Sequence, residues 1–204
     1  MDFTFSDDQE ALRGAVKAFL ADRAPGPYVR AMADDERGFT DDGWAAIAEL
    51  GWPGLLVPEN QEGLGLGLLD MVVVLEEMGR LPFPGPFFSS AVLATLAARH
   101  LGATDLLAQL AGGELRGTVA LEEVGHGDPV GRVRTRARRR GSEWVLTGLK
   151  PTVPDGHTAD WAIVVARTEA GLGSFLVEAP RAEAVPALDP TRKLARLVLD
   201  ERPG

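Results

Sequence analysis

Apolar residues recur at helical spacing through the first half of this chain and alternate with polar ones through much of the second. Leu12, Val16, Phe19 and Leu20 form one apolar face behind Ser6 and Gln9, which are spaced as a capping box, so a helix is predicted there. PGPYV predicts a break in the chain. Thr40 is placed to cap a second helix that carries Trp44 and Ile47 and ends at Gly51. PENQEGLGLG reads as loop. LLDMVVVLEEMGR is apolar enough to form a largely buried helix that stops at Gly79, and LPFPGPFF is another proline-rich break. Ser89 or Ser90 starts AVLATLAARHLG, and Thr104 caps the short DLLAQLAGG.

After Gly113 the period shortens to two. GTVALEE predicts a strand. GRVRTRARRR alternates arginines with Val133, Thr135 and Ala137, the pattern of a half-buried strand, and pairs as a hairpin with SEWVLTGLK beyond Gly141. WAIVVART is a fully apolar buried strand, and GLGSFLVEAP and LARLVLD complete a set of about six. The predicted fold class is α+β. A helical domain over residues 1–112 is followed by a β-barrel or sandwich domain over residues 113–204.

Composition narrows the function. The 204 residues include no cysteine, which excludes disulfides, thiolate metal sites and cysteine nucleophiles. That composition fits a cytoplasmic protein, and the acidic start MDFTFSDDQE lacks the basic-then-apolar plan of a signal peptide. The longest apolar runs, such as MVVVL, are too short to span a bilayer. A net charge of −9 disfavours nucleic acid and anionic membrane as partners.

The densest candidate chemistry is ALEEVGHGD, where Glu122, Glu123, His126 and Asp128 are potential metal ligands. Neighbouring glutamates on a strand face opposite ways, so only one could join His126, and no second histidine completes a zinc set. The same alternation disfavours a paired-carboxylate acid/base site. Glu76 and Glu77 read as the solvated edge of a helix. GLGLG follows no strand and lacks the third glycine of a dinucleotide fingerprint. No serine elbow or Walker loop stands out. The stripe of Arg132, Arg134, Arg136, Arg138, Arg139 and Arg140 reads as the outer face of a strand, along which an anionic small molecule or an acidic neighbouring subunit could lie.

The order of these features, above all the tract from Gly51 to Leu96, resembles the flavin-dependent acyl-CoA dehydrogenase family. The resemblance covers essentially the whole chain. It implies an N-terminal helical domain, a middle β-domain, FAD as cofactor, and an acyl-CoA thioester as substrate losing hydrogens from its α and β carbons. It also implies a C-terminal four-helix domain that usually supplies the glutamate base. This chain is expected to lack that domain, so the resemblance names no catalytic residue here.

The resemblance further implies where FAD would lie. In the family a threonine-glutamate-proline strand faces the flavin, and a loop reading alanine-glycine-serine-aspartate meets the pyrophosphate. Here Leu121 or Glu122 stands at the threonine, Gly127 replaces the serine, and Asp128 matches. A carboxylate beside a ring that gains negative charge on reduction would oppose that reduction. Gly148, Lys150, Ala159 and Asp160 match the second flavin segment, where Thr152 replaces an aromatic and Pro154 a threonine. Proline offers no N–H to a ring nitrogen. The expected cofactor contacts are therefore Leu121, Glu122, Gly127, Thr152, Val153 and Pro154. Sequences of this diverged type resemble actinobacterial members acting on steroid side chains and other bulky acyl-CoAs, some as heteromers. The expected assembly is a homo- or hetero-oligomer with another acyl-CoA dehydrogenase subunit. A non-catalytic partner subunit that binds no flavin is the alternative.

Overall fold

The computed structural model describes residues 4–204; Met1 to Phe3 of the acidic start lie outside the described residues. Helix α1 (Asp7–Arg23) begins with the predicted capping box: the Gln9 N–H donates to Ser6 Oγ at 3.2 Å, and the Ser6 N–H to Gln9 Oε1 at 3.1 Å. Helix α2 (Gly26–Asp34) is an addition to the predicted elements, since PGPYV predicts only a break in the chain. Its prolines sit at the helix start, where a missing N–H costs nothing. In α3 (Asp41–Glu49) the Gly43 N–H donates to Thr40 Oγ1 at 3.1 Å, and Gly51 follows with φ +72°.

Helix α4 (Leu68–Arg80) runs one residue past the stop expected at Gly79, and its Asp70 accepts from the Gly67 N–H at 2.9 Å. Glu77 corrects the reading of Glu76 and Glu77 as a solvated edge. It is buried and pairs with Arg13 of α1 at 3.1 Å, while its neighbour Glu76 stays exposed and holds the same guanidinium at 2.6 Å. A π-helical segment, Phe88–Ala94, leads into α5 (Thr95–Leu101). It buries both Ser89 and Ser90, one of which was expected to start a helix. Before α6 (Leu107–Ala111) a 3₁₀ turn at Thr104–Leu106 replaces the expected threonine cap.

Seven strands follow, one more than expected: β1 (Gly117–Ala120), β2 (Arg136–Arg140), β3 (Glu143–Pro154), β4 (Trp161–Thr168), β5 (Gly171–Glu178), the short β6 (Glu183–Val185) and β7 (Leu194–Pro203). They form one mixed sheet in the order β1-β4-β2-β3-β7-β6, with β5 also on β4. β1 and β4 are parallel; β2–β3, β3–β7 and β4–β5 are antiparallel. The sheet curls as a half-barrel around Leu146, Val164, Phe175, Val177, Leu197 and Leu199. The α+β class predicted from the sequence holds, in its barrel-like form.

β4 explains its uniformly apolar sequence by being buried on both faces. Ala162, Val164 and Ala166 point into the barrel, whereas Trp161 and Ile163 pack on Ala94, Ala98 and Leu107 of the helices. The helical half has its own core, in which Phe19 meets Trp52 edge-on at 4.9 Å. Two predicted strands are shorter than expected. GTVALEE leaves the ladder after Ala120, and GRVRTRARRR joins it only from Arg136, although Val133 and Thr135 remain buried as the alternation requires.

Candidate functional site

Where β1 ends, the chain continues beside the end of β3. Between the two, and roofed by the helix at Leu93 and Ala97, lies an open apolar cavity of about 570 Å³. Val119 and Leu121 line it from one side and Thr152 and Pro154 from the other, with Leu194 of β7 closing the end. The spacing of two within each pair is the pleat of extended chain, which turns alternate side chains to one face. Thr152 is the only hydroxyl-bearing side chain of this lining.

Four of the six sequence-predicted contacts, Leu121, Glu122, Thr152 and Pro154, are thus brought to one cavity. Val153 is turned away: it is fully buried in the barrel core, as the residue between two outward neighbours must be. Gly127 lies apart, exposed on the 124–131 loop, at φ +89°. Sequence reasoning misses Leu93, Ala97, Val119 and Leu194. The period of two could have found Val119, but nothing local announces the helix or β7 residues.

The adjacent glutamates diverge as the alternation requires. Glu122 reaches the cavity and is held by Arg132 at 2.7 Å; the same arginine also donates to the Gly125 carbonyl. Glu123 turns inward. It accepts from the Arg134 and Thr135 N–H groups at 2.7 and 3.0 Å and pairs with Lys150 Nζ at 2.8 Å. Burial would push the Glu123 carboxyl up, but the Lys150 ammonium, Thr135 and the two N–H groups together hold it down to about 2. Lys150, itself fully buried, also donates to the Leu121 carbonyl at 3.0 Å. This carboxylate–ammonium pair and the Lys150 bond to the Leu121 carbonyl tie residues 121–123, just beyond the end of β1, to β3 beside the cavity.

On the neighbouring loop Asp128 accepts from the Val130 and Gly131 N–H groups at 3.1 and 3.0 Å, so it shapes a turn. No group of three or more histidine or acidic side chains among the described residues is placed to hold a metal ion. No helix among them is long and apolar enough to cross a membrane. The cavity suits a largely apolar group: its wall is mainly aliphatic, and its one carboxylate is already matched by a guanidinium.

The model of the acyl-CoA dehydrogenase N-terminal domain matches residues 6–114. Benzylmalonyl-CoA dehydrogenase of Aromatoleum aromaticum is 30% identical over 186 residues, covering 87% of this chain and 49% of that protein. A variant of the steroid ACAD Tcur3481-Tcur3483 superposes with a TM-score of 0.87 at 32% identity, over 97% of this chain and 56% of that one. The ChsE4-ChsE5 complex from Mycobacterium tuberculosis gives 0.86 at 28% identity, over 100% and 57%. The chain spans less than half the length of the curated relatives it matches. With more than half of its residues matched by the family model and a 30% identical relative along 87% of its length, the chain belongs to the acyl-CoA dehydrogenase family.

Proposed function

We propose that this chain forms the helical and β-sheet part of an FAD-dependent acyl-CoA dehydrogenase assembled with another subunit of that family, and that the cavity at Leu121 and Pro154 takes the flavin ring. The convergence of 121–122 and 152–154 on one apolar cavity carries this reading. Bound there, FAD would supply the two-electron oxidation by which an acyl-CoA thioester loses its α and β hydrogens. The chain's own residues then have separable tasks. Val119, Leu121, Pro154 and Leu194 offer a dry wall against which a ring can lie, and Thr152 offers a hydroxyl at its edge. Lys150 fixes the Leu121 carbonyl, and Arg132 offsets the Glu122 charge, which would otherwise oppose reduction of a nearby ring. The steroid ACAD and ChsE4-ChsE5 likenesses support a bulky acyl-CoA and a heteromeric assembly.

The test is flavin absorbance of the chain purified with its co-expressed partner. Leu121→Trp should fill the cavity and strip the flavin while the circular dichroism stays that of the wild type. A variant that keeps its flavin refutes the assignment. A second reading is a partner subunit that binds no flavin. It is favoured by Leu121 and Pro154, which bring neither hydroxyl nor, at the proline, an N–H to the cavity. That reading predicts a chain that stays colourless when FAD is added, with all the flavin of the complex on the other subunit.

A further inference from the structure

The helix that roofs the apolar cavity is wound in an unusual way, and the reason starts with two neighbouring serines. Consecutive residues of an α-helix point about 100° apart. Ser89 and Ser90 are nevertheless both buried, and each bonds a different part of the β half. Ser89 Oγ donates to Asp155 at 2.7 Å, just beyond β3, and Ser90 Oγ accepts from the Gly117 N–H at 3.2 Å, where β1 begins. Further along, Leu93 and Ala97 face the cavity, while Ala94 and Ala98 pack with Trp161 and Ile163 of β4. The π winding of Phe88–Ala94 lets one helix meet all of these surfaces.

π-helical turns are rare, close over five residues in place of four, and occur often at functional sites. Thr95 holds this one. Its N–H reaches the Ser90 carbonyl, five residues back, and its Oγ1 donates to the same oxygen at 3.0 Å. In an α-helix a threonine hydroxyl bonds the carbonyl three or four residues back, so this bond belongs to the π register. Thr95 is fully buried and is not part of the cavity lining. Rewinding the segment as α-helix would turn everything beyond it by about the 100° of one residue. The two ends resist unequally. Freeing the serines would take the Ser89 donor from the buried Asp155 carboxyl, which is costly. Leu93 and Ala97 face open space, and Ala94 and Ala98 bring only methyl groups to β4, so the cavity roof is the end that turns.

We propose that Thr95 is a positioning residue, which by clamping the Ser90 carbonyl keeps the π register and with it Leu93 and Ala97 over the cavity; that the cavity's occupant is flavin rests on the function proposed above. The chain has no cysteine, so Leu93→Cys with Leu121→Cys puts its only two thiols on the roof and the wall of the cavity. With no flavin present, a short bismaleimide should bridge them, as read by intact mass. Adding Thr95→Val, which keeps the shape and removes the hydroxyl, should slow bridging about tenfold, the weight of one buried hydrogen bond, whereas Thr95→Ser should leave it within about twofold. Thr95→Ala, which cannot crowd its site, is read in the same way if the valine variant does not fold. Bridging unchanged without the hydroxyl, or slowed as much by Thr95→Ser, overturns the proposal. So does a wild-type background in which the thiols do not bridge, because Leu93 would then not stand over Leu121. In the complex with its partner subunit, Thr95→Val alone should weaken FAD binding about tenfold. Unchanged FAD binding beside slowed bridging would keep the role of Thr95 and refute flavin as the occupant.

Discussion

At the scale of single residues, two buried carboxyls respond to pH in opposite directions. Glu123 has a folded-state value of about 2, below the ordinary 4.5, so its stabilisation is complete above the ordinary value and is lost as pH falls from there towards 2. Glu123→Gln should therefore remove that acid-sensitive part of the stability. It leaves Lys150 as a buried charge without its partner, at a cost of about 3–5 kcal/mol in urea unfolding near neutral pH. Asp155 is the reverse case. Burial pushes its carboxyl up, against the Ser89 hydroxyl and the nearby charges of His157, Arg192 and Lys193. Its contribution is present below the ordinary carboxylate range and is lost as pH rises through the folded value. Ser89 Oγ donates to Asp155 at 2.7 Å and lies 3.0 Å from the Pro86 carbonyl, so its one proton serves two acceptors. Asp155→Asn removes the buried carboxyl's charge and tolerates the local φ of +49°. The variant should melt higher than wild type at neutral pH and no higher in acid; a lower neutral melting temperature would refute the claim that burial disfavours the charged carboxyl.

At the scale of elements, the clearest dependence is the seating of β1 between β4 and the π-helical segment. Gly117 sits where a Cβ would lie 2.6 Å from the Trp161 ring and 2.7 Å from Ala94 Cβ, and its N–H donates to Ser90 Oγ at 3.2 Å. Gly117→Ala should push β1 off this seat and cost about 1–3 kcal/mol. Faster hydrogen exchange at Val119 and Ala120 than at β5 would report it; uniform exchange would not fit. The elements themselves are unevenly legible. Ser6 with Gln9, and Thr40, mark their helix starts because a cap is a contact over three residues, wholly within local sequence. α2 escapes a local reading because proline both breaks helices and begins them, and tertiary contacts decide between the two. Glu77 reads wrongly as exposed because its partner Arg13 stands 64 residues away on α1.

At the scale of the molecule, the helical and β halves are joined by packing as well as by polar contacts. Trp161 and Ile163 of β4 share a core with α5 and α6, Trp44 Nε1 donates to the Gly113 carbonyl at 2.8 Å, and Lys193 Nζ donates to the Ala33 carbonyl at 2.7 Å. The two halves should therefore unfold together. Trp161→Ala should cost about 3–5 kcal/mol and lower the helical and sheet signals in one transition; separate transitions in the wild type would show independent domains. The α+β order, the caps at Ser6 and Thr40 and the faces of the strands were settled by the sequence alone, because caps and periods of 3.6 and 2 are properties of neighbouring residues. The cavity was half settled: resemblance pointed to 121–122 and 152–154, and alternation turns Val153 away. Only the tertiary structure decided that Leu93, Ala97 and Leu194 complete it, that Arg132 answers Glu122, and that Arg136 meets Arg167. Those pairings arise from strand order and helix docking, and the energies that fix them act between residues the sequence holds far apart.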